Sequence, residues 1–170
     1  DRQLIGGVAI DATGHPLPEA TVKSAQAADA VLLGAVGGPK WDNVEPTLRP
    51  EKALLGIRKA LGLYCNLRPI KVSRFVSHLS PLKDERVANA DLLIVRELTG
   101  GIYFGTHNEA ALDENGVETA SDIEIYSRPE VERIAKFAFE AAKKRKGKVT
   151  SVDKANVLAS SRMWRKITAE

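Results

Sequence analysis

Short apolar runs alternate with amphipathic stretches along the chain, and glycine or proline separates most of them. Gly6-Gly7-Val8-Ala9-Ile10-Asp11 is short and β-leaning, and Thr13-Gly14 reads as a turn. Leu17-Pro18 opens a helix that runs through Thr21 to Asp29, with proline near the first turn, where its missing N–H costs nothing. Ala30 to Val36 is a continuous apolar run of strand length, the pattern of a strand buried on both faces of a parallel sheet, and Gly37-Gly38-Pro39 ends it. Residues 39–50 hold three prolines and no periodicity, and read as a loop. Glu51 to Leu61 is the next helix, with Leu54, Leu55 and Ile57 apolar and Gly62 as its stop. Tyr64 to Arg68 looks like a strand stopped by Pro69, and Asp91 to Arg96 like a second buried strand. Asp113-Glu114-Asn115-Gly116-Val117 has a turn at its centre, and its flanks suit a hairpin or arm. Ser127-Arg128-Pro129-Glu130 is a capping-box pattern. The helix behind it carries Val131, Ile134, Ala135, Ala138 and Ala142 on one stripe and ends in Lys143-Lys144-Arg145-Lys146, cations at the negative end of the helix dipole. Lys148 to Asp153 reads as a strand and Asn156 to Ile167 as a helix. Strands alternating with helices predict an α/β fold with a parallel or mixed sheet flanked by helices. In such folds active sites lie at the carboxyl ends of the strands.

Composition narrows the function classes. Hydrophobic residues make up 44% and charged residues 28% of 170 positions, which excludes a disordered or fibrous chain. With 25 Lys+Arg against 22 Asp+Glu, the net charge of +3 is too small to argue for a nucleic-acid partner. The basic run Lys143 to Lys148 has no interleaved aromatics and reads as a solvated helix end. Cys65 is the single cysteine, so no internal disulfide can form, and a reducing, cytoplasmic compartment is expected. The longest apolar run is far short of the ~20 residues of a membrane span, so no membrane partner is expected. Neither a G-x-G-x-x-G fingerprint nor a Walker A motif is present, and the three histidines lack metal-ligand spacing.

Candidate chemistry gathers near predicted strand and helix ends. Arg58, Arg68 and Arg96 each sit at or just past such an end. A guanidinium fork matches a carboxylate bidentately and keeps its charge, so several converging forks would hold a di- or tricarboxylate. Ordinary ion pairs, such as Arg96 with Glu97, are the alternative. Thr99-Gly100-Gly101-Ile102-Tyr103-Phe104-Gly105 offers close backbone approach and a phenol able to donate a proton, or a hairpin whose aromatics pack. Lys154 suits a general base if burial or a neighbouring cation favours its neutral form, and Asn156 adds an amide. A solvated lysine and a helix-capping asparagine are the plainer reading.

Together these segments resemble the isocitrate/isopropylmalate dehydrogenase family of β-decarboxylating dehydrogenases. The matching words are Gly6-Gly7-Val8-Ala9-Ile10-Asp11, Leu33 to Asp42, Asn66-Leu67-Arg68-Pro69, Val95 to Gly105 and Ser151 to Val157, five words in the family's order. The resemblance implies an NAD- and metal-dependent oxidoreductase (Mg2+ or Mn2+) that works as a homodimer on a small dicarboxylate. It implies that Arg58, Arg68 and Arg96 clamp substrate carboxylates and that Tyr103 protonates the product enol. It further implies that Lys154 takes the hydroxyl proton in the partner subunit's site. Val157 belongs with the substrate, and Asn156, Gly38 and Glu51 with NAD. Residues 1–68 would belong to a cofactor-side subdomain. Residues 69–170 would belong to a dimer-forming subdomain with an arm at about 104–126. The family's metal-binding aspartates would follow Glu170, and its first strand would precede Asp1, so an isolated chain is expected to be inactive.

The choice of substrate falls to α-helical neighbours of Arg58. Glu51, Leu54 and Leu55 are spaced to share one helix face. An apolar pair there suits a branched alkyl group on a malate core, as in the leucine-biosynthesis branch of the family, which converts 3-isopropylmalate to 4-methyl-2-oxopentanoate. Burying a third carboxylate against it would cost several kcal/mol, whereas an isopropyl group would gain ~2 kcal/mol. The alternatives are a sister enzyme acting on isocitrate, homoisocitrate or tartrate, a non-catalytic fragment, and a plain core role for Leu54 and Leu55.

Overall fold

The computed structural model describes residues 1–73, 75 and 77–170, and the chain divides into two compact units, Asp1–Leu63 and Tyr64–Glu170. The first unit holds three helices, α1 (Gly7–Thr13), α2 (Glu19–Ala27) and α3 (Pro50–Ala60), with 3₁₀ turns at Pro39–Trp41 and Pro46–Leu48. The expected β-leaning segment at Gly6 to Asp11 is therefore a helix. Gly6 takes φ +69° and starts it, and Gly14 closes it at φ +75° with its N–H on the Ile10 carbonyl. Close packing explains the two adjacent glycines. A Cβ on Gly6 would lie 2.2 Å from the Val36 carbonyl oxygen, and one on Gly7 would lie 2.3 Å from the Trp41 ring. Ala9, Ala53 and Ile57 form the buried apolar centre of this unit, and the Thr21 hydroxyl donates to the Leu4 carbonyl at 2.6 Å.

The apolar run Ala30 to Val36 forms no strand. A strand exists by exchanging backbone hydrogen bonds with a neighbour, and no strand is present in this unit to receive it. Leu32 is fully exposed as a result (101%), and the segment is tied down at its end, where the Gly7 N–H donates to the Val36 carbonyl at 2.8 Å.

The second unit contains two antiparallel pairs. Strand β1 (Cys65–Lys71) pairs with β2 (Asp91–Glu97), and β3 (His107–Leu112) pairs with β4 (Glu118–Asp122). Pro69 does not stop β1; it sits inside the strand opposite Leu93, tolerated because each strand of a two-stranded sheet has one open edge. The expected hairpin forms around a turn in which the Asp113 carboxylate accepts the Asn115 and Val117 N–H groups, and every residue of β3 and β4 is exposed. A short helix α4 (Asp84–Val87) precedes β2, and α5 (Arg128–Lys143) packs on β2 and on α6 (Ala159–Ala169).

The α5 start follows the capping-box pattern, with the Glu130 carboxylate accepting both the N–H and the hydroxyl of Ser127 at 2.7 Å. Its buried stripe is Val131, Ile134 and Ala142, with Ala135 and Ala138 half-buried. Two expectations fail near the C-terminal end. Lys148 to Asp153 makes no ladder, and α6 begins at Ala159 because the chain first turns on Lys154, whose carbonyl accepts the Val157 and Leu158 N–H groups. Among the described residues no helix is long and apolar enough to cross a membrane.

Ile134 is a fully buried side chain at the α5 contact. Ile134→Ala is expected to cost about 2–5 kcal/mol in urea unfolding of the chain, whereas Lys136→Ala on the exposed face should stay within about 0.5 kcal/mol.

Candidate active site

Helix α3 divides its faces cleanly. Pro50, Ala53 and Ile57 turn inward, and Glu51, Leu54, Leu55 and Arg58 follow one another along a second face at spacings of three and four. Leu54, Leu55 and Arg58 are half-buried there. The α3 N-terminus also borders an open cleft of about 290 Å³ lined by Gly38, Trp41, Asp42, Arg49, Pro50 and Glu51. The structure thus brings the two cofactor candidates of this unit, Gly38 and Glu51, to one cleft. A Cβ on the neighbouring Gly37 would press on Glu51 Oε1 at 3.1 Å, so the loop backbone and this carboxylate are already close.

Asp11, on α1, holds the cleft loop. Its carboxylate accepts Lys40 Nζ at 2.6 Å and Trp41 Nε1 at 3.2 Å, and the Lys40 ammonium lies 5.4 Å from the Trp41 ring centre. The Lys40 hydrogen bond, then that of Trp41, holds the Asp11 carboxyl below the ordinary carboxylate range.

In the second unit, strand register decides which side chains meet. Directly opposed residues of an antiparallel pair point to the same face, so the pairings Asn66–Arg96 and Arg68–Ile94 put both arginines on one side. Arg68 Nε donates to Asn66 Oδ1 at 2.9 Å. The Arg96 guanidinium lies 5.4 Å from the centre of the Tyr103 ring, which is 55% exposed. Asn66, Arg68, Arg96 and Tyr103 therefore form one accessible cluster with two permanent positive charges and one phenol.

Glu97 points the other way, because consecutive strand residues alternate faces. The simple alternative of an Arg96–Glu97 pair is thereby excluded. The Glu97 side chain is 1% exposed and accepts the Thr99 and Gly100 N–H groups at 2.8 and 2.7 Å and the Thr99 hydroxyl at 3.0 Å. It also pairs with Arg133 of α5 at 2.6 Å. Arg133 in turn donates to Thr99 Oγ1 and lies 4.8 Å from the Tyr64 ring centre. Glu97 and Arg133 were not singled out in the sequence. The available signal was an acidic residue at a strand end followed at two and three positions by small residues whose N–H groups it can collect. Gly101, at φ +78°, completes this corner; its N–H donates to the Ile125 carbonyl, and a Cβ there would meet the Tyr126 hydroxyl at 2.4 Å.

Lys154, Asn156 and Val157 all lie on the exposed turn before α6. Asn156 does not cap α6, whose N-cap is Leu158. No hydrogen bond or ion pair to Lys154 Nζ is present among the described residues. Among the described residues no group of three or more His, Cys, Asp or Glu side chains is arranged to hold a metal ion.

A family model described as isocitrate/isopropylmalate dehydrogenase matches residues 1–170. The chain belongs to that family. A 3-isopropylmalate dehydrogenase from Bacillus licheniformis is 58% identical over 167 residues, which cover 98% of this chain and 45% of the relative. The chain thus spans less than half the length of the curated relatives it matches. Its fold is that of the family. A β-decarboxylating dehydrogenase from Thermococcus kodakarensis superimposes with TM-score 0.66 at 35% identity, covering 96% of this chain and 42% of that one. An isocitrate dehydrogenase from Methylococcus capsulatus gives TM-score 0.68 at 29% identity, covering 98% and 46%.

Breaking the family chain's buried ion pair should be costly. Arg133→Met leaves the Glu97 carboxylate buried without its cation, and a loss of about 3 kcal/mol is expected, near the low end for such pairs because Arg133 is partly solvated; urea unfolding measures it. The Asp11 cluster makes a pH prediction. A depressed folded-state pKa means that its stabilising contribution is complete above the ordinary value of about 3.9 and is lost as pH falls through the lower folded value. In a Trp164→Phe background, Trp41 emission should change on acidification in that range, and Asp11→Asn should abolish the transition.

Proposed function

We propose that this chain is the substrate-gripping and proton-handling part of an NAD-dependent 3-isopropylmalate dehydrogenase. The observation that carries the reading is the β1–β2 register, which puts Arg68 and Arg96 on one accessible sheet face with the Tyr103 phenol beside Arg96. Two guanidinium groups of fixed charge hold carboxylates in a defined orientation and offset their negative charge. Within the first unit, helix α3 carries Arg58 with Leu54 and Leu55 one helical turn before it, an apolar pair beside a guanidinium that suits an apolar branch on a carboxylate substrate. Curated relatives that share this chain at 56–60% identity carry the name 3-isopropylmalate dehydrogenase, which supports the same choice.

In this reading Lys154 accepts the proton of the substrate hydroxyl in the partner subunit's site, directly or through a water. NAD, when bound, supplies the acceptor for the hydride released from the same carbon. The resulting β-keto acid loses its carboxylate as carbon dioxide, and Tyr103 donates its hydroxyl proton to the carbon left behind. Gly38 and Glu51 border an open cleft with room for part of a dinucleotide, with the Arg49 cation there for a phosphate, and Asn156 and Val157 lie beside Lys154 in the turn before α6. Among the described residues no group of three or more His, Cys, Asp or Glu side chains is arranged to hold Mg2+ or Mn2+. The first 68 residues serve the cofactor side. Residues 69–170 serve dimer formation, with the exposed β3–β4 hairpin as the arm of a homodimer in the cytoplasm.

A chimera tests the reading: the chain replaces the matching 167 residues of the Bacillus subtilis 3-isopropylmalate dehydrogenase, a relative 56% identical. NAD reduction that favours 3-isopropylmalate over isocitrate, homoisocitrate and tartrate is expected. Leu54→Ser with Leu55→Ser should lower kcat/KM on 3-isopropylmalate by about 10–100-fold. A folded chimera that prefers isocitrate, or shows no preference, overturns the assignment. The isolated chain is expected to reduce no NAD.

A further inference from the structure

Lys154 is presented by a segment that has no ladder hydrogen bonds, yet the turn is held at almost every backbone group. Its own N–H donates to Ser161 Oγ at 3.1 Å, and its carbonyl accepts the Val157 and Leu158 N–H groups. Arg162 donates to the Val157 carbonyl at 3.0 Å, and Trp164 Nε1 donates to Ser151 Oγ at 3.2 Å. The strongest tie is Asp153. Its side chain is 8% exposed; Oδ1 accepts the Ala155 N–H at 3.0 Å and Arg165 Nη2 at 2.7 Å, while Oδ2 accepts Arg165 Nε at 2.9 Å. Ser161 and Arg165 are one helical turn apart on α6, so one side of this helix serves as the mount.

The pairing has a chemical consequence for the neighbouring amine. A carboxylate within reach of a lysine amine favours its ammonium form, and a lysine held in such a pair is a poor proton acceptor. Here both Asp153 oxygens are occupied by the Arg165 fork, and no ion pair to Lys154 Nζ is present among the described residues. The other charges around the turn do not compete. Arg162 is a cation engaged with backbone carbonyls, and the Glu124 carboxylate takes the Ser160 hydroxyl.

We propose that Arg165 is a positioning residue that, by occupying both oxygens of Asp153, holds the Lys154 turn and keeps the adjacent carboxylate from capturing the lysine amine. The inference rests on Lys154 being the proton acceptor of the proposed reaction, but its test does not need turnover. Reductive methylation with 13C-formaldehyde gives the Lys154 amine its own NMR signal in the full chain. Arg165→Met frees the carboxylate, which favours the ammonium form, so the titration of that signal should move up by about one pH unit. Adding Asp153→Asn to Arg165→Met should return it to the starting position. Arg165→Lys, which keeps the charge but not the fork, should move it less and serves where Arg165→Met fails to fold. In the chimera the pH profile of kcat should move in the same direction with KM within about twofold. An unmoved Lys154 titration in the single variants, or one that the added Asp153→Asn fails to restore, overturns the inference. A chimera without preference for 3-isopropylmalate sinks the functional reading instead and leaves the amine titration to decide this one.

Discussion

The buried carboxylate of Glu97 is the constraint on which the arginine cluster depends. A carboxylate with 1% exposure has lost its water and needs its lone pairs filled from the protein. Glu97 fills them with two backbone N–H groups of the next turn, a hydroxyl and the Arg133 cation. That demand bends residues 99–101 around it, and the bend brings Tyr103 back beside Arg96. Strand alternation does the rest. With Glu97 turned inward, Arg96 must turn outward, and the antiparallel register then places Arg68 on the same side. One buried anion thus orients two exposed cations and a phenol without touching any of them.

A related device holds two irregular segments of the chain. Asp11 ties the 36–42 loop through Lys40 and Trp41, and Asp153 ties the 151–157 segment through Arg165. Each pairs a carboxylate on one segment with a cation or indole N–H on another, across 29 residues in the first case and 12 in the second. Ladder hydrogen bonds are few here, since the two sheets have two strands each. Side-chain acceptors do the work that backbone pairing does in a larger sheet. The two clusters differ in solvation. The Asp153 side chain is nearly covered and doubly forked, whereas Asp11 remains 42% exposed and gains correspondingly less from its partner.

The elements legible in the sequence were those whose signal is local. The α5 capping box and apolar stripe, the α3 amphipathic repeat with its Gly62 stop, and the Asp113–Val117 turn depend on residues within a few positions of one another. The family was legible too, because its five words are contiguous. Segments whose conformation depends on distant partners were not. Ala30 to Val36 and Lys148 to Asp153 have strand composition but no strand to pair with among the described residues, and Gly6 to Asp11 becomes helical because Gly7 must lie against Trp41, 34 positions away in the numbering. Of the candidate site, the arginines and Tyr103 were readable as residue types. Their grouping needed the register, and Glu97, Arg133 and Arg165 needed the fold, since nothing in a sequence marks which of many charged residues is buried.

In the proposed reading, shared and selective chemistry fall to different elements. Guanidinium forks on a strand recognise any carboxylate presented at the right spacing, so in the proposed reading Arg68 and Arg96 would hold carboxylates without choosing among them. Selectivity requires a contact that one substrate satisfies and another leaves uncompensated. In the proposed reading Leu54 and Leu55 would provide it: an isopropyl branch gains ~2 kcal/mol against apolar side chains, while a carboxylate packed against them would lose water without a hydrogen bond from either. Helix α3 places that apolar pair one turn from the Arg58 cation and keeps Ala53 and Ile57 on its buried side. A change of substrate would then need only a polar residue at one half-buried position. The core beneath and the strand arginines would be unaltered.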